Sequence, residues 1–204
     1  MCGELAAAAA RDGQTAIAIT DHGTLSGVID MHKACKAHGI TALPGIEAYL
    51  AFGSLHERNS LDVEDDSDPD DNGSGRSKTK RYEHLTLLAA SRQGWSNLSQ
   101  MSTTSYRDGK WGKHPRIDMD LLADHADGII ALTGCLGGPR AGRLSRGDDA
   151  GAEAWLARAV EILGPDNVVV EVMDHGIDRQ KIVIPKLVGL ARKFGLRVAA
   201  TNDS

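Results

Sequence analysis

The chain has 204 residues, with 41% hydrophobic and 25% charged content, which suits one soluble domain with a sizeable core. Its three cysteines (Cys2, Cys35, Cys135) form no CxxC and no disulfide-rich pattern, so a reducing cytoplasm is the expected setting. The net charge of −5 argues against a free-standing DNA-gripping module, but seven of the 28 acids fall within "DVEDDSDPDD" (62–71), and the remainder has more bases than acids. Nothing in the sequence approaches the apolar length of a membrane span.

In chain order, "MCGELAAAAARDG" reads as a helix, since no basic region precedes its alanines. "TAIAIT" (15–20) is a β-branched, apolar strand. Leu25, Val28, Ile29 and Met31 give 24–39 a helical period that Gly39 closes. Residues 40–52 read as extended, broken at Pro44-Gly45. Residues 53–82 combine the acidic run, "NGSG" and the basic "RSKTKR"; they cannot bury a core and are expected to form a disordered insertion in an otherwise single domain, 1–204. Then come a strand at 84–90, a helix at 92–107, a strand at 128–134, a helix at 149–163, a strand at 167–174, a helix at 182–195 and a strand at 196–203. Strand and helix in alternation predict an α/β fold with a mostly parallel sheet.

Polar residues with metal-binding capacity collect beside the strands. Asp21 and His22 follow the first strand, Cys135 follows "IIALTG", Asp174 and His175 follow "VVVEVM", and Asp203 follows "VAATN". In a parallel α/β barrel, strand ends converge on the face that carries the chemistry. Imidazole, carboxylate and thiolate together suit zinc, manganese or iron. Glu47 and His84 fit this rule less well, because neither stands at an obvious strand C-terminus. Each residue also has an ordinary role: a turn histidine faces solvent, and a lone cysteine packs as a small hydrophobe. Spacing leaves both readings open. His32, His38, His56, His114 and His125 are read as surface residues.

The segments "AIAITDHG", "GIEAYLA", "YEHLTLLA", "GIIALTGCLGG", "VVVEVMDHGI" and "VAATND", taken in order, strongly resemble the PHP (polymerase and histidinol phosphatase) domain of bacterial DNA polymerase III alpha subunits. "GWSNLSQMSTTSY" (94–106) and "HPRIDMDLL" (114–122) agree with the polymerase branch. The resemblance implies a distorted (β/α)7 barrel with up to three divalent metal ions (Zn, Mn or Fe). The implied metal ligands are His22, Glu47, His84, Cys135 and Asp203. The implied catalytic carboxylates are Asp21, as a partner orienting a neighbouring group, and Asp203. Asp174 and His175 match a family "DHG" near the cleft. The family's first strand, with its His-x-His and following acidic residue, has no counterpart in this sequence, and the family's Asp-x-His-Tyr is met only as far as Asp203. The implied barrel is therefore incomplete, truncated at both ends, holds fewer metals, and is expected to be inactive by itself.

The implied function is that of an N-terminal piece of a replicative polymerase, bearing a metal-dependent phosphoesterase or 3′→5′ proofreading exonuclease site. Its partners would be a DNA primer terminus and other replicase subunits or the remaining pieces of the polymerase, with no membrane. The competing readings are a non-catalytic scaffold module of the replicase, and a stand-alone phosphatase of the histidinol phosphatase type.

Overall fold

The computed structural model describes residues 1–58, 61–63, 78–80 and 82–201. In chain order they form α1 (Cys2–Arg11), β1 (Ala16–Ile19), α2 (Val28–Ala37), β2 (Thr41–Leu50), β3 (Leu61–Val63), β4 (Lys78–Lys80), β5 (Glu83–Ala89) and α3 (Arg92–Arg107). Then follow β6 (Lys110–Trp111), β7 (His114–Ile117), α4 (Met119–Asp124), β8 (Ile129–Leu132), α5 (Ala141–Ser145), α6 (Asp149–Leu163), a 3-10 turn (Pro165–Asn167), β9 (Val168–Val172), α7 (Asp178–Phe194) and β10 (Arg197–Ala200).

Eight strands make one open sheet in the order β10-β9-β8-β5-β2-β7-β6, with β1 also on β2. The outer pairs β10–β9, β9–β8, β2–β7 and β1–β2 are parallel. The expected mostly parallel sheet is interrupted at its centre: β5 runs antiparallel to both β2 and β8. This reversal matters below, because it brings the start of β5 to the end of β2.

Strand β2 is gripped on both edges. One edge pairs with β5 from Gly45 to Leu50; the other pairs first with β1 at Thr41–Pro44 and then with β7 at Tyr49–Leu50. The expected break at Pro44-Gly45 is absent. Proline lacks an N–H, but Pro44 lies just before the pairing with β5 begins, so the strand runs on. Gly45 is required by close approach: a Cβ there would stand 2.5 Å from Leu88 Cδ2 and 2.7 Å from the Leu87 carbonyl oxygen.

Alternation sorts the two strands by face. Ile46, Ala48 and Leu50 of β2 join Leu85 and Leu87 of β5 in the main core, with Leu98, Met101, Ile129, Leu156 and Val168. Leu85, Leu87, Leu98 and Leu156 are wholly buried, each stabilising the fold by about 1.5–3 kcal/mol. A smaller cluster of Ala6, Met31 and Cys35 fixes α1 on α2. Ser91 caps α3 by accepting the Gly94 N–H at 3.0 Å.

Two regions depart from the sequence expectations. Residues 108–127 carry β6, β7 and α4, for which the sequence offers no long periodic run. Within 53–82, Leu55 is buried; its N–H is held by Asp118 Oδ2 at 2.8 Å, and its carbonyl accepts from Arg116 Nη2 at 2.9 Å. Residues 61–63 pair with 78–80 as an antiparallel ribbon. The rest of the expected insertion (59–60, 64–77 and 81), including most of the acidic run, lies outside the described residues.

Two glycines with opposite surroundings test this packing. A Cβ at Gly94 would stand 2.0 Å from the Gly128 carbonyl oxygen, whereas one at Gly189 would meet nothing within 4 Å. Gly94→Ala is expected to destabilise the chain by about 1–3 kcal/mol, and Gly189→Ala to stabilise it by about 0.5–1 kcal/mol, both read from denaturant unfolding midpoints.

Candidate metal centre

The chain leaves β1 at Ile19 and stays alongside β2 for three more residues. Glu47 N–H donates to the Asp21 carbonyl at 3.1 Å, and Gly23 N–H donates to the Glu47 carbonyl at 2.9 Å, so His22 and Glu47 sit side by side as a parallel bridge. Gly23 must be glycine: φ is +65°, and a Cβ would stand 2.7 Å from Tyr49 Cε2. On the other edge of β2, His84 pairs with Tyr49 and Thr86 with Glu47. Opposed residues share a face, so Glu47, Tyr49 and His84 all face away from the main core.

Two imidazoles converge on a single carboxylate oxygen. His22 Nε2 lies 3.5 Å from Glu47 Oε1, and His84 Nδ1 is hydrogen-bonded to the same atom. One donor atom from each residue falls within 4.8 Å of the others. His84 and Glu47 are largely enclosed, at 8% and 14% side-chain exposure, while His22 is open at 47%. The cluster is thus sheltered at its base and accessible from one side. Two nitrogens and a carboxylate oxygen at this spacing are donors that could share one metal ion.

The other expected site residues have definite places. Asp21 Oδ2 accepts the Gly27 N–H at 2.8 Å, closing the turn that carries His22 into α2. Cys135 is half-buried, and its Sγ accepts the Gly137 N–H at 3.4 Å. Its turn packs on His84: the His84 N–H donates to the Gly137 carbonyl at 3.1 Å, and a Gly137 Cβ would stand 3.5 Å from both Cys135 Sγ and His84 Cδ2. Asp174 Oδ1 accepts the Gly176 N–H at 3.0 Å, and His175 is tied to Gln180 through its N–H at 2.8 Å and through Nδ1 at 3.0 Å. Among the described residues, the group close enough to share an ion is His22, Glu47 and His84. Asp203 lies outside the described residues.

His114 departs from its sequence reading as a surface residue. It is half-buried and packs against Tyr82 (ring centroids 4.4 Å apart) and Tyr49 (4.9 Å). Tyr82 Oη and His114 Nε2 are 3.3 Å apart, at hydrogen-bonding distance. Tyr49 and Tyr82 also contact the His84 ring, at 5.6 and 5.4 Å. This aromatic wall beside the cluster went unnoticed in the sequence, although a signal was there: Glu47-x-Tyr49 and Tyr82-x-His84 each place two polar or aromatic residues on one face of a strand. His32, His38 and His56 are exposed as expected.

An open mixed α/β sheet thus carries, beside β2, a His-Glu-His cluster whose donors are close enough to share an ion. Residues 1–175 match the family model of the PHP domain, and the chain belongs to that family. It is 38% identical over 191 residues to the DNA polymerase III subunit alpha of Treponema pallidum, covering 94% of this chain and 15% of the relative. It is 36% identical over 193 residues to that of Mycobacterium tuberculosis (95% and 16%) and 37% identical over 188 residues to that of Thermus aquaticus (92% and 14%). The chain therefore spans about 15% of the length of these curated relatives. A Bifidobacterium adolescentis crystal structure, described as a metal-dependent phosphoesterase, shares the fold at TM-score 0.51 and 15% identity, covering all of this chain and 82% of that one. Among the described residues, no helix is long and apolar enough to cross a membrane.

Calorimetric titration with Mn²⁺ or Zn²⁺ is expected to show binding that weakens at least about tenfold in Glu47→Gln and in His84→Ala. Tyr82→Phe, which removes the hydroxyl facing His114, is expected to lower stability by about 0.5–1.5 kcal/mol, measured by denaturant unfolding.

Proposed function

We propose that His22, Glu47 and His84 belong to a metal-dependent phosphoesterase centre which, within a DNA polymerase III alpha subunit, hydrolyses the phosphodiester at a DNA 3′ end as a proofreading exonuclease. The observation that carries this reading is the convergence of both imidazoles on one Glu47 oxygen, within a chain that matches DNA polymerase III alpha subunits along nearly its whole length. Zinc, manganese or iron would be held by these three side chains, with Cys135 and Asp203 as further donors. A bound divalent ion supplies Lewis-acid polarisation of a phosphoryl oxygen and makes water more acidic.

The chain's own residues supply the rest. Glu47 is nearly enclosed, so its negative charge acts in a low-dielectric setting and favours a cation strongly. Asp21 keeps His22 in place by holding the turn that begins α2. The Tyr49, Tyr82 and His114 rings exclude water from one flank and leave the His22 side open for a DNA end. The partners are a primer terminus and the rest of the replicase, in the cytoplasm. By itself the 204-residue chain is proposed to bind metal and DNA ends without digesting them.

The test combines binding and turnover on the purified chain. A single-stranded 3′ end is expected to bind in the presence of Mn²⁺, to be released by chelator, and to bind more weakly to His84→Ala. Metal binding without any preference for DNA ends would favour the scaffold role instead. Turnover of a small phosphomonoester would move the chain to the phosphatase class, and robust chelator-sensitive digestion of a primer would overturn the proposed inactivity.

A further inference from the structure

Glu171 is the one residue of β9 that is not valine, and it is only 5% exposed. A carboxylate placed so deeply must have its oxygens satisfied. Oε2 accepts the Gly134 N–H at 2.9 Å, and Oε1 accepts the Thr201 hydroxyl at 2.6 Å. These donors stand on the two segments flanking β9. Gly134 opens the turn that carries Cys135, after β8, and Thr201 follows β10, two residues before Asp203 in the sequence. Since β8 and β10 both run parallel to β9, one carboxylate ties together the C-terminal ends of three adjacent strands.

A second layer braces it. The Thr133 hydroxyl accepts the Glu171 N–H at 3.0 Å and Arg140 Nη2 at 2.8 Å. Arg140 is wholly buried, its Nε and Nη1 have no hydrogen-bond partner among the described residues, and burial pushes its guanidinium down to about 10. A buried cation with two idle donors weakens the fold. Its Nη2 nonetheless anchors the same threonine that holds the Glu171 backbone. Polar groups are concentrated here, in a sheet interior that valine or leucine could have filled more cheaply.

We propose that Glu171 is a positioning residue of the metal centre: it sets the Cys135 turn and Thr201, at the end of β10, in fixed relation to each other and to His84, on which the Cys135 turn packs. This rests on the reading of Cys135 as a ligand. A tie serving only the fold would affect stability alone, whereas a positioning residue also governs how well the thiolate reaches an ion.

The experiment loads the 204-residue chain with Co²⁺ and follows the thiolate-to-cobalt charge-transfer absorption, with melting temperatures measured alongside. The wild type is expected to show the band and Cys135→Ser to lose it. Glu171→Gln and Thr201→Val are expected to need at least about tenfold more Co²⁺ to develop it, and Thr201→Ser, which keeps the hydroxyl, to restore wild-type behaviour. Thr201→Val preserves side-chain volume, so the valine–serine pair decides the matter even if Glu171→Gln fails to fold. A wild type lacking the band overturns Cys135 as a ligand, and the inference with it. A wild type with the band and variants that match it, whatever their melting temperatures, overturns the positioning role alone.

Discussion

The pairing of β2 along both edges is the constraint on which the site depends. Residues Gly45–Leu50 pair with β5 on one side, and on the other Thr41–Pro44 pair with β1 and Tyr49–Leu50 with β7. Because side chains alternate, that register puts Glu47 and Tyr49 opposite Thr86 and His84 on one face, and Ile46, Ala48 and Leu50 against Leu85 and Leu87 on the other. A slip of one residue would drive Glu47 into the apolar core and turn Ile46 outward. The hydrophobic core and the candidate site are therefore specified by the same register.

Close backbone approach at two glycines makes the arrangement possible. Gly45 lets β2 lie against the Leu87–Leu88 backbone and side chain, and Gly23 lets the turn after His22 pass beneath Tyr49. With those gaps closed, Glu47 becomes a nearly enclosed carboxylate that answers to two imidazoles. The same principle operates on β9, where a buried glutamate organises the loops on either side of it. In both places an acid in a sheet, unfavourable on its own, is stabilised by donors that converge from neighbouring strands.

Much of the fold was legible in the residues. The helices at 92–107 and 149–163 fall where their periodicity placed them, and the strands at 15–20, 84–90, 128–134, 167–174 and 196–203 stand within a few residues of their apolar runs. The missed elements are β3, β4, β6, β7, α4 and α5, none longer than six residues. Elements that short carry no periodicity and exist because other elements offer them partners: β7 lies against β2 and α3, α4 against α6, and α5 against α6 and α7. His114 was misread for the same reason: its strand was invisible, so its face was unknown.

The sequence by itself determined most of the longer strands and helices, and the motifs "TDHG", "GIEAY" and "EHLTLL" that carry the family resemblance. Only the tertiary structure decided why Glu47 and His84, which stand at no strand's C-terminal end, belong with His22. Strand β5 runs antiparallel to β2, so its first residues lie beside the last residues of β2. Strand direction is a property of the assembled sheet: it depends on which edges meet, and no local pattern of apolar and polar residues encodes that.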